Sequence, residues 1–307
     1  MADLPHVAAV IPLAVGAAAA FAVANVAQMR AARRAEAPSQ LSPRLMVRLI
    51  GDPLWLAGLV GSVLGFGLQA VALYLAPVVF VQPLIVTELL FALPLAAAHS
   101  HVRLGRREWA GAFLVAAGIG LFVGIGQPRG EGVTASNLDW LLTTVSVAVV
   151  LGVTIVIGES MPHRPTLRAS ALALAASICF GYMSVLTRVV GHQFQAHQLG
   201  ALGFAQPWLL AVIAIGGLML SQTAFRIAPL SVSLPIIDIG EPGVASLIGV
   251  LILGESVDLS ASTMLGVIMA GIAIVTGVGL LDTSPMVRTA QQHINDELAQ
   301  TTIVEVR

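Results

Sequence analysis

Nine stretches of this chain run for eighteen residues or more with few or no charges, at approximately 7–29, 54–75, 78–98, 108–126, 138–157, 167–190, 207–226, 231–253 and 261–281. A helix needs about 20 apolar residues to cross about 30 Å of hydrocarbon. Lipid offers backbone groups no partner, so only helices and closed barrels span it. Barrel strands are short and alternate in polarity, whereas these segments are long and apolar on both faces. The expectation is an all-α, polytopic membrane protein with nine transmembrane helices. Composition agrees, because 57% of the 307 residues are hydrophobic and 10% are charged, too few charges to clothe a soluble protein. The shortest breaks fall at Ala76-Pro77 and Ala228-Pro229.

Every basic side chain besides histidine is arginine, and the arginines orient the chain. With the N-terminus outside, the inner segments collect Arg30, Arg33, Arg34, Arg44, Arg48, Arg103, Arg106, Arg107, Arg164, Arg168 and Arg226, and the outer loops keep Arg129 and Arg188. That bias places the polar tail, 282–307, in the cytoplasm, and an odd number of spans separates the termini. The expected location is the cytoplasmic membrane. The first span is kept rather than cleaved, since Asp3 and His6 stand where a secretory signal is basic and arginines follow the apolar stretch. With a net charge of −1 and dispersed arginines, no nucleic-acid partner is expected. The single cysteine, Cys179, has no partner and reads as a small core residue.

A weak internal repeat overlies this plan. Shifting by 152 positions brings Gly65 onto Gly217, Leu68 onto Leu220, Ala72 onto Ala224, Ala76-Pro77 onto Ala228-Pro229, Pro83 onto Pro235 and Ile85 onto Ile237. A one-residue slip then aligns Ala117-Gly118-Ile119 with Ala270-Gly271-Ile272, and at a slightly larger offset Phe21 meets Phe180. Spans one to four map onto spans six to nine. Five crossings separate the two starts, so the repeats run in opposite directions, an arrangement typical of secondary transporters whose site lies at the repeat interface. The chain divides into a first repeat at 1–157 (helices one to five), a second at 158–281 (helices six to nine) and the tail.

The Ala-Pro-x5-Pro-Leu run at 76–84, Leu-Gly-Arg-Arg-Glu-Trp at 104–109 and Gly-Glu-Ser at 254–256 resemble the drug/metabolite transporter superfamily. Within it, Ala-Leu-Tyr-Leu-Ala-Pro-Val-Val-Phe-Val-Gln-Pro-Leu at 72–84 is similar to the EamA-like branch related to the NIPA magnesium transporters. The resemblance covers 7 to about 281 and implies inverted repeats and a transport role. Where the NIPA pattern carries Gly-Glu in span two, this chain has Gly65-Phe66.

Three acids interrupt apolar spans. Glu88 lies in span three, and Asp238 and Glu241 lie three apart on one face of span eight, running into Pro242-Gly243. An ionisable group at the bilayer midplane costs about 2.5–3.5 kcal/mol on insertion scales, so it normally faces a pathway or a partner. Proximity among buried carboxyls lets one hold a proton that it exchanges in each cycle. The plainer alternative is a protonated carboxyl bonded to a neighbouring helix. Prolines free backbone carbonyls and kink helices, which makes Pro83, Pro235, Pro242 and Gly243 the expected helix breaks and span eight the expected broken helix.

Neutral polar residues extend the candidate binding set: Asn25, Gln28, Gln69, Thr87, Tyr182, Ser221 and Gln222, with Tyr74, Gln82 and Ser177 behind them. Most would serve equally as glue between helices. Gln69 and Ser221 stand out because they match under the repeat shift. Gly61-x-x-x-Gly65 and Gly120-x-x-x-Gly124 read as close packing inside the monomer, a homodimer interface being the sharper alternative. His99 and His101 read as a solvated basic helix end, His192 and His197 as part of an outer loop at 191–206, and Glu255 and Asp258 as a solvated outer loop. No cofactor and no tight metal site are expected.

Nor is an enzyme expected: the chain lacks a His-Glu-x-x-His helix, a Gly-x-Ser-x-Gly elbow and a P-loop, and Asp238 is the lone aspartate in the interior of a span. The expected function is a secondary active transporter moving a small metabolite or drug across the cytoplasmic membrane, coupled to protons, by alternating access around Glu88 and Glu241. Its partners would be that substrate and membrane lipid. The alternatives are a magnesium or divalent-cation transporter, with Glu88, Asp238 and Glu241 as oxygen ligands, and a non-transporting membrane scaffold.

Overall fold

A computed structural model describes residues 4–34, 43–100, 105–126, 135–227, 230–255 and 260–282. These residues are helical and contain no strand. In chain order the helices are α1 (Leu4–Arg34), α2 (Pro43–Ile50), α3 (Pro53–Leu75), α4 (Val78–Ile85), α5 (Glu88–Ser100), α6 (Arg106–Gly126), α7 (Asn137–Glu159), α8 (Pro165–His197), α9 (Ala205–Ile227), α10 (Leu230–Ile252) and α11 (Ala261–Asp282). Among the described residues five segments are long and apolar enough to cross a membrane: Ala9–Ala32, Pro53–Leu75, Asn137–Glu159, Pro165–Gly203 and Ala205–Ile227. The exposed surface is itself apolar. Leu141, Val145, Val149, Val153 and Val156 of α7 all face outward, which water would penalise and hydrocarbon would not.

Local chemistry sets the helix ends. Asp52 caps α3, its carboxylate accepting from Leu54 N–H at 2.8 Å and Trp55 N–H at 3.2 Å, and Pro53 fits the first turn because that N–H would be orphaned anyway. Ser136 and Asp139 form a reciprocal capping box at the start of α7. Between α7 and α8, Arg168 grips Glu159 at 2.8 Å and 2.9 Å.

Packing is strongest between α1 and α3, α8 and α9, α8 and α10, and α6 and α11, while α4 lies against α10. Small residues allow this closeness: α3 meets the Phe21 ring of α1 at Gly65, and α9 meets the Phe180 ring of α8 at Gly217, where an added Cβ would approach ring carbons to 2.8 Å. Gly61 also faces α1 at Ala24, so this glycine pair packs within the monomer; the side of Gly120 and Gly124 lies outside the described residues.

Three expectations are corrected by the helix boundaries. The loop expected at 191–206 is largely helical, because α8 runs to His197 and a 3-10 segment follows at Gln198–Gly203. The break expected in span eight is absent: α10 is continuous through Pro235, Pro242 and Gly243, and Pro83 is likewise inside α4. Each proline removes one ladder bond, leaving for Pro242 the carbonyl of Asp238, and neighbouring helices let the rest of the ladder persist. The interruption lies instead in span three, between Ile85 and Glu88. Ile85, Val86 and Thr87 are β-branched, but so are Ile274, Val275 and Thr276 inside the continuous α11, so residue type alone does not make the break. Thr87 completes the break, donating its hydroxyl to Leu84 O at 2.6 Å while its N–H takes the same carbonyl at 3.1 Å. The Ala228-Pro229 connection, His101, Asp258 and the tail at 283–307 lie outside the described residues, as does the side chain of His99.

Candidate functional site

A cavity of about 220 Å³ opens where α1, α3, α8, α9 and α10 meet the α4–α5 break. Glu88, Asp238 and Glu241 all line it, together with Asn25, Gln28, Gln69 and Ser221. Seven of the ten residues singled out from the sequence thus share one site. Among the described residues no arginine or histidine lines it, and Phe21, Phe66 and Phe180 contribute aromatic wall.

The three carboxyls are held differently. Glu88 is the first residue of α5, and the N–H groups that follow it, of Leu89 and Leu90, bond back to Val86 O and Thr87 O at the break. Asn25 donates to Glu88 Oε1 at 2.6 Å. Glu241 sits within α10 and is bound from two other helices: Gln69 of α3 donates to its Oε1 at 3.3 Å and Ser184 of α8 at 3.2 Å, with Gln69 also donating to Ser184 at 3.2 Å. Asp238 is buried on the same wall, and its Oδ2 has no hydrogen-bond partner among the described residues.

Beside the carboxyls, an amide chain closes one end of the cavity. Trp55 Nε1 donates to Gln222 Oε1 at 3.2 Å, Gln222 Nε2 donates to Gln28 Oε1 at 2.5 Å, and Gln28 Nε2 donates to Ser62 Oγ at 2.7 Å. This ties the C-terminal half of α1, the N-terminal half of α3 and the C-terminal half of α9 together. Gln222 therefore supports the site from behind. Tyr182 is turned away, its hydroxyl 2.7 Å from Thr144 Oγ1 of α7, and Thr87 shapes the break rather than the cavity. Ser62, Ser184 and Trp55 were not picked out from the sequence. Ser62 falls seven residues before Gln69, on the same α3 face, and that spacing was the available signal.

At the opposite end lies a second polar cluster, where two expectations are overturned. Glu255 is buried rather than solvated, and Arg188 is buried within α8 rather than in an outer loop. Glu255 accepts from Val78 N–H at 2.9 Å and Val79 N–H at 3.0 Å, capping α4 from across the sequence, since Pro77 supplies no side-chain cap. Arg188 Nε stands 3.6 Å from Glu255 Oε1, and its Nη1 donates to Leu73 O at 2.9 Å and to Ala76 O, the last carbonyls of α3. The turn is made by Gly254, at φ +62°, after which Glu255 N–H reaches back to Gly249 O at 3.2 Å. Gly249 leaves room for the carboxylate, which would lie 2.7 Å from an added Cβ. Cys179 is buried and unpaired, as a core residue is.

No family model matches the chain, and no solved structure matches it. An uncharacterized protein of Corynebacterium glutamicum is 31% identical over 246 residues, covering 79% of this chain and 83% of the relative. With identity at that level across most of both proteins, the chain belongs to the same family as this corynebacterial protein.

Proposed function

We propose that the chain is a proton-coupled secondary transporter of the drug/metabolite type, carrying a small, positively charged metabolite across the cytoplasmic membrane by alternating access. The observation that carries this reading is the convergence of Glu88, Asp238 and Glu241 on one cavity that no basic side chain among the described residues lines. Such a site attracts cations or protons and repels anions. Its aromatic walls suit a cargo with an organic body. At about 220 Å³ the cavity is smaller than the roughly 300–1,000 Å³ typical of drug-sized sites, which favours a metabolite over a bulky drug.

Nine crossings, an outer N-terminus and inverted repeats complete the proposal. They are supported by the coincidence of the nine apolar windows with α1, α3, α4–α5 and α6 to α11. They are supported too by the matched packing: Phe21 on Gly65 repeats as Phe180 on Gly217, α1–α3 repeats as α8–α9, and α6 pairs with α11. In this topology Glu88 and Glu241 enter the site from opposed helices near the midplane, as expected for a carrier.

A divalent-cation carrier is the second reading. Its support is that three carboxyls line one cavity; among the described residues no three such side chains stand close enough together to hold a bare metal ion, so the cargo in this reading would keep its water shell. Proteoliposomes separate the two. We expect tetramethylammonium uptake against an opposing proton movement, abolished in Glu241→Gln although that variant remains inserted and monodisperse. Unchanged coupling in Glu241→Gln would remove this residue from the mechanism, and potential-driven magnesium uptake without proton movement would favour the second reading.

A further inference from the structure

Gln82 is buried to 0% exposure within α4, and neither atom of its amide has a hydrogen-bond partner among the described residues. An unsatisfied amide in an apolar interior is costly, and most buried side-chain polar atoms have a partner. Its position gives it a use. Val78, Gln82 and Ile85 are spaced four and three apart, so they form one stripe along α4. Ile85 lines the cavity at one end of the stripe, and at the other end Val78 N–H is bonded to Glu255. The outer half of α10 covers this end, since a Cβ added at Gly249 would lie 3.6 Å from Val78 Cβ.

Resting on the carrier reading above, we propose that this α4 stripe is the second half of the transport path, that Gln82 is the contact a cationic cargo makes along it, and that the Arg188–Glu255 pair is the gate closing it. Three features fit a movable gate. The helix α4 is short, and its ladder is interrupted at Val86 and Thr87, which marks the point about which it would hinge. Its N-terminus has no local cap and is held by the distant Glu255 carboxylate. Arg188 ties the end of α3 to that same carboxylate, so three helix ends part together when the pair separates. Gln82 then gains the partners it lacks here, its amide oxygen accepting from or facing a cation and its amide nitrogen meeting water.

The test is thiol accessibility in the full chain. In a Cys179→Ala background, Gln82→Cys is reconstituted into sealed proteoliposomes and treated with a membrane-impermeant maleimide from the side that carries Glu255. We expect slow modification in the background protein and at least tenfold faster modification after adding Glu255→Gln. Arg188→Gln, which leaves the Glu255 caps in place, serves as the second opener, and gel filtration confirms that each variant is folded. An unchanged rate in a folded opener, or equal access from the opposite side, would overturn the gate. Tetramethylammonium flux in the same vesicles separates the two levels: faster labelling without flux keeps the gate and removes the carrier, and flux with unchanged labelling does the reverse.

Discussion

The two segments that bring acids into the cavity solve the same problem in opposite ways. Span three is broken at Val86 and Thr87 and delivers Glu88 on the first turn of a new helix, whereas α10 stays continuous and delivers Asp238 and Glu241 from mid-helix. Each segment has two prolines within its helices, Pro83 and Pro94 in the first and Pro235 and Pro242 in the second, yet the break falls in the first alone. Proline removes one bond from a ladder that neighbouring helices can sustain, and at the break Thr87 turns both its N–H and its hydroxyl to Leu84 O, three residues back. Asymmetry in this carrier reading therefore comes from the first repeat. It sets Glu88 at the start of α5 with Asn25 of α1 as its side-chain donor, whereas Glu241 takes its donors from α3 and α8.

The largest effect expected from breaking this comparison is on the acids themselves. Glu88→Gln and Glu241→Gln should each abolish coupled flux in proteoliposomes while the protein stays folded. Loss with one and full activity with the other would mean that a single helix carries the coupling. Next is the break. Replacing Val86 and Thr87 together by leucine restores helix formers, and flux should fall about tenfold, equivalent to about 1.4 kcal/mol on the rate-limiting step. Unchanged flux would show that α4 need not move independently of α5.

Smaller effects test whether the halves are equivalent. Gly65→Ala and Gly217→Ala each drive a methyl against a phenylalanine ring and should each lower stability by about 1–3 kcal/mol, read as similar falls in melting temperature. A large effect at one position alone would argue against matched repeats. The smallest change concerns the hydrogen bonds to the carboxyls: Asn25→Ala and Ser184→Ala should each cost about 1 kcal/mol in thermal unfolding. Asn25→Ala should be the costlier in flux, because Asn25 is the side-chain partner seen on Glu88, while Glu241 keeps Gln69 when Ser184 is lost.

Much of this was legible in the sequence, for reasons that differ by feature. Hydrophobic runs are local, so the helix-forming windows were readable, including the short Ala76-Pro77 connection that the structure places between α3 and α4. The three acids were conspicuous because their surroundings are apolar, and Gln69 and Ser221 because they match under the repeat. Long-range partners were not readable. Glu255 looked like a loop acid because nothing nearby in sequence reveals that Gly254 turns it back onto α4, and Arg188 looked like a loop cation because α8 outlasts its most apolar stretch. Gln222 and Tyr182 had the right chemistry and depth but face Trp55 and Thr144, a matter of helix rotation that composition does not encode.

The most direct test of the central claim is to record cation and proton movement together in proteoliposomes holding the native chain. The carrier account predicts that tetramethylammonium uptake drives protons out, and that both movements disappear in the Glu88→Gln, Asp238→Asn, Glu241→Gln triple variant. Cation uptake that follows the membrane potential with no proton movement, or that persists in the triple variant, would contradict it.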